Sequence, residues 1–79
     1  MTWIKKLHGS FGTADKKFAG HASDTKRAIE TLEECYNQNV PLKDVLDEAQ
    51  KYLNSHGCTP QHVQEQLSDI TAKYQAWLN

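Results

Sequence analysis

The sequence predicts an all-α fold, an antiparallel three-helix bundle preceded by a largely irregular, basic N-terminal segment. Three observations carry this. From residue 23 onward, apolar residues recur at spacings of three and four, the period of a helix buried along one side. The breaks near 37–41 and 54–59 are short, and short connections favour antiparallel neighbours. Before residue 23, Gly9, Gly12 and Gly20 interrupt any long helix. The expected division is a segment over 1–22 and a bundle over 23–79, with helices at about 24–38, 41–56 and 60–78.

In the segment, Thr2 is suited to cap a short helical turn over 3–8 that Gly9 ends. Phe11 and Phe18 then stand as isolated aromatics in polar sequence. In the first long helix, Ser23 or Asp24 is a capping residue, and Ile29, Leu32, Cys35 and Tyr36 read as the core face. Pro41 starts the second helix, where a first-turn proline removes no intrahelical bond. Leu42, Val45, Leu46, Ala49 and Leu53 form its stripe, and Asp44 sits where the helix dipole favours an anion. Gly57 is the expected left-handed residue after it. Thr59 caps the third helix, Pro60 is its first residue, and Val63, Leu67, Ile70, Tyr74 and Trp77 form its seam.

The chain has 79 residues, a net charge of -1 and 38% apolar content, which fits one globular domain with a thin stability margin. The longest apolar run is far short of the roughly 20 residues that cross a bilayer. No secretory leader is recognised at the start, so two free thiols and a cytoplasmic location are expected. Charge is uneven. Residues 1–27 carry +4 and residues 28–79 carry -5. Such asymmetry fits an acidic or nucleic-acid partner, and fits equally a tail folded over an acidic body.

"HGCTPQH" brings His56, Cys58 and His62 together, all competent zinc ligands. Their spacing matches no standard ligand framework, and a capped interhelix turn accounts for them. The same stretch loosely follows a helix-turn-helix pattern, but its turn is long and its helices acidic, whereas duplex affinity rests on Lys and Arg. Carboxylates at Asp44, Asp47 and Glu48, and at Glu30, Glu33 and Glu34, fall on solvated helix sides, away from any shielded site that would raise a pKa for acid catalysis. The sequence therefore implies no enzyme, cofactor or metal.

The segment offers the clearest contact candidates. Trp3, Phe11 and Phe18 lie among Lys5, Lys6, Lys16 and Lys17, with Lys26 and Arg27 following. Aromatics between cations suit single-stranded nucleic acid, an anionic surface or a partner groove, or they dock on the bundle and enlarge its core. The expectation is a small non-enzymatic regulatory or adaptor protein, of the kind a bacterium or phage encodes as an inhibitor, that binds and occludes another macromolecule. Self-association, as a homodimer, would add buried area to a small core. The alternative is a nucleic-acid-binding regulator that uses the segment and the third helix.

Overall fold

In the computed structural model of the chain, the described residues form four helices rather than three: α1 (Thr2–Gly9), α2 (Ala22–Asn37), α3 (Leu42–Ser55) and α4 (Pro60–Leu78). The structure describes residues 2–11, 16–20 and 22–78, with side chains for all of these except 22–24 and 78. Helix α2 begins at Ala22, so Ser23 and Asp24, expected as its cap, fall inside its first turn; their side chains lie outside those described. The turn expected over 3–8 is a full helix, and it is part of the core. It packs on both α2 and α3, and α4 packs on α3 and α2. Nothing among the described residues forms a strand; an isolated antiparallel bridge joins Phe11 and Phe18.

The N-terminal segment supplies much of the interior. Trp3 and Leu7, one turn apart, share the buried side of α1, and Phe11 and Phe18 are buried beyond it. Burying a Trp ring removes about 150–250 Å² from water, worth roughly 4–6 kcal/mol. The Trp3 indole N–H finds no acceptor among the described residues, a cost of about 1–3 kcal/mol. Packing wins that comparison. Polar contacts tie the segment down further. The buried Ser10 hydroxyl donates to the Lys6 carbonyl at 2.8 Å and lies 3.2 Å from the buried Thr31 hydroxyl of α2. The Ala19 N–H donates to the Ser10 carbonyl at 2.8 Å. From α4, the Gln66 side-chain oxygen accepts the Phe18 N–H at 2.7 Å, and His62 Nε2 lies 3.2 Å from the Lys16 carbonyl.

The buried side of α2 is rotated from the expected one. Ala28, Thr31, Leu32 and Cys35 are buried, while Ile29 is 49% and Tyr36 52% exposed. The small residues explain this. Helix α1 lies against the side of α2 that carries Thr31, where the Ser10 and Thr31 hydroxyls meet. Ile29, two positions earlier, points away. After α2, Asn39 adopts φ +58°. The Val40 N–H reaches the Cys35 carbonyl and the Asn39 N–H that of Tyr36, which closes the helix and brings two buried apolar residues, Val40 and Cys35, together.

Helix α3 buries Val45, Ala49 and Leu53, with Leu42 and Leu46 half-buried beside them. Pro41 is its N-cap, one position before the helix, in extended geometry. The α3–α4 turn is as expected. Gly57 has φ +76°, the Cys58 N–H donates to the Leu53 carbonyl, and the Gly57 N–H to that of Asn54. Thr59 Oγ1 accepts the His62 N–H at 3.2 Å, and Pro60 opens α4. Along α4, Val63, Ile70 and Tyr74 are buried, but Leu67 and Trp77 are only half-buried and Gln66 is buried in their place. The cause is the N-terminal segment, which extends the core toward the Gln66 side.

Candidate interaction surface

The rotation of α2 leaves a second stripe in solvent. Lys26, Ile29, Glu33 and Tyr36 recur at three, four and three, so they align along one exposed side of the helix. Beside this stripe runs a groove of about 330 Å³ between α2 and α4. Ala28 and Leu32 form its floor, Ile29 and Trp77 its walls, and Thr25, Lys73 and Ala76 its margins. The rings of Tyr36 and Trp77 meet edge-on, with centroids 5.1 Å apart. Lys73 lies 3.5 Å from Asp69, an ion pair along α4. Two large apolar side chains half in water beside an apolar groove form a surface suited to protein contact.

The contact candidates from the sequence are divided by the fold. Trp3, Phe11 and Phe18 are core residues, each 5% exposed or less. Lys5, Lys6, Lys17, Lys26 and Arg27 are exposed, and Lys16 is half-buried. Lys6 pairs with Glu34 at 2.8 Å, and that hydrogen-bonded carboxylate raises its pKa. Lys5, Lys6 and Arg27 line a groove of about 300 Å³ with Glu30, so acids of α2 interleave with the cations. A neighbouring groove is lined by Lys6 with Glu30, Glu33 and Glu34. Lys5, Lys6 and Arg27 thus stand beside carboxylates of α2.

The turn residues each have a structural task. His56 Nδ1 lies 2.9 Å from the Tyr52 carbonyl, the Cys58 N–H closes α3, and His62 holds the segment at Lys16. No group of three His, Cys, Asp or Glu residues is placed to hold a metal ion among the described residues. Tyr52 is half-buried and its ring lies near Phe11, His8 and His56, with centroids 4.3–5.2 Å away. Burial pushes the Cys35 thiol up to about 11, with the Glu34 carboxylate adding to the shift, so it is a poor nucleophile near neutral pH. No described helix is long and apolar enough to cross a membrane.

The spacing of apolar residues places Ile29 and Tyr36 in the core and gives no signal for Gln66. The alternate stripe of α2 is equally visible as a pattern. What selects between the two is α1, whose place on α2 no local pattern reveals. No protein-family model, curated protein or solved structure matches the chain.

Proposed function

We propose that the chain is a small non-enzymatic regulatory or adaptor protein that binds and occludes another protein, with the groove between α2 and α4 as the docking site. One observation carries this reading: Ile29 and Tyr36 stand half in water beside an apolar groove, whereas the other large apolar side chains among the described residues are buried or half-buried. Exposed apolar side chains that line a groove are suited to contact with another protein. Trp3, Phe11 and Phe18, the aromatics that a nucleic-acid reading would stack on, are buried, and Lys5, Lys6 and Arg27 stand among carboxylates.

The test is affinity capture with the immobilised chain, with and without nuclease, using wild type and Ile29→Glu. The expected result is a protein retained after nuclease treatment and lost with Ile29→Glu. Capture that disappears with nuclease, or that Ile29→Glu leaves unchanged, contradicts the reading. Lys5→Glu with Arg27→Glu is the comparison variant, expected to retain the captured protein.

A further inference from the structure

We infer that in the free protein the exposed stripe of α2, which shares Ile29 with the α2–α4 groove, is covered by a second copy of the chain, whose α2 lies antiparallel across the first about a two-fold axis near Ile29. This rests on the reading of the groove as a protein-docking site and adds its regulation: the partner must displace the second copy. The argument is charge and position. Lys26 and Glu33 are both exposed and flank Ile29 on the same stripe, three residues before it and four after. Seven residues of helix rise about 10.5 Å, with Ile29 near the midpoint. A two-fold axis there sets Lys26 against the partner's Glu33 and Glu33 against the partner's Lys26, while the two Ile29 side chains meet at the centre. The stripe is self-complementary in charge, as an isologous interface requires.

The contact is small. Helix α2 has 16 residues and so is about 24 Å long. With the end of α4, it offers less than the roughly 800 Å² per partner of a standard interface. The dimer is therefore weak, half-formed between about 1 and 100 μM, and a heterologous partner can compete at low concentration.

Sedimentation equilibrium on the full chain tests this, with melting curves to confirm that each variant folds. Wild type is expected to dimerise in that range. Ile29→Glu should be a folded monomer, because the residue is half exposed and its loss opens no core cavity. Lys26→Glu and Glu33→Lys should each weaken the dimer at least about tenfold, since like charges then oppose at both ends. An equimolar mixture of those two variants should restore association, and so should the double variant K26E/E33K. A wild type that is monomeric at 100 μM overturns the inference. So does a dimer that Ile29→Glu leaves intact, and so do charge variants that have no effect or that fail to restore one another. The docking reading is judged separately. A monomer whose Ile29→Glu variant loses the captured protein removes the dimer and keeps the docking site. A dimer with charge rescue but no Ile29-dependent capture of another protein removes the adaptor role and keeps the dimer.

Discussion

The N-terminal segment and the α3–α4 turn are both polar, glycine-containing and rich in candidate chemistry, yet they are ordered by different physics. The turn is held by neighbours in sequence. Thr59 bonds to a residue three positions on, and the Gly57 and Cys58 amides reach back three and five. The segment is held by residues far away, Thr31 for Ser10 and Gln66 for Phe18, at separations of 21 and 48. Local chemistry is enough to define the first. The second exists only within the assembled fold. Changes in the segment should therefore propagate through the whole domain, and changes in the turn should stay local.

The largest effect is expected at Phe18. Its ring is buried and meets Phe11 edge-on at 5.5 Å. Phe18→Ala should cost about 3–5 kcal/mol, a large share of the roughly 5–15 kcal/mol that holds typical domains together. Urea unfolding would show it, and a midpoint close to wild type would mean that the segment is not part of the core. Ile70→Ala should cost about 2–5 kcal/mol, and Leu67→Ala clearly less, because Leu67 is only half-buried. Equal costs at the two positions would restore the sequence-derived seam.

Gln66→Ala sharpens the comparison most directly. It leaves the buried Phe18 N–H without its acceptor, at about 1–3 kcal/mol. Hydrogen exchange should show faster exchange at Phe18 and Ala19 with the α3–α4 turn unaffected. Thr59→Ala removes an exposed cap and should cost about 0.5–2 kcal/mol, read as fraying at the start of α4. His62→Ala should affect the segment rather than the turn, since the ring reaches Lys16. Chelator treatment should leave the melting curve unchanged, as no described cluster is built for a metal.

A pH dependence is expected as well. Cys35 has its pKa raised from 9.0 to about 11 by burial, and burial also raises that of Tyr74. A raised pKa in the folded state means that the folded chain holds protons that the unfolded chain has released. Stability should therefore fall as pH rises from about 9 to about 11, and be insensitive to these groups below that window. Thermal melts across the window would check the sign. Cys58, half-buried, should react with maleimide well before Cys35.

The legible parts of the sequence follow the same division. Helix limits at Gly57, Thr59 and Pro60, the stripe of α3, and Val63, Ile70 and Tyr74 in α4 could be read because caps and periodicity are short-range signals. The α2 face could not. It holds two interleaved stripes, one with Ile29 and Tyr36 and one with Ala28, Thr31 and Cys35. Side-chain size favours the first, but close approach of α1 requires the second. Gln66 reads as a surface residue until a backbone N–H arrives from 48 residues away. The candidate surface was hidden for the same reason, since Ile29 and Tyr36 were assigned to the core.

The bond between Gln66 and Phe18 also bears on the order of assembly. Closing a loop of 48 residues costs about 2 kcal/mol more in chain entropy than closing one of four. The turn between α3 and α4 can form early and on its own, whereas the Phe18 amide waits for its acceptor. During synthesis, which proceeds from the N-terminus at about 5–20 residues per second, Phe18 precedes Gln66 by several seconds. Through that interval Trp3, Phe11 and Phe18 have no completed interior to enter, so the nascent chain displays its most aromatic stretch until its final helix emerges.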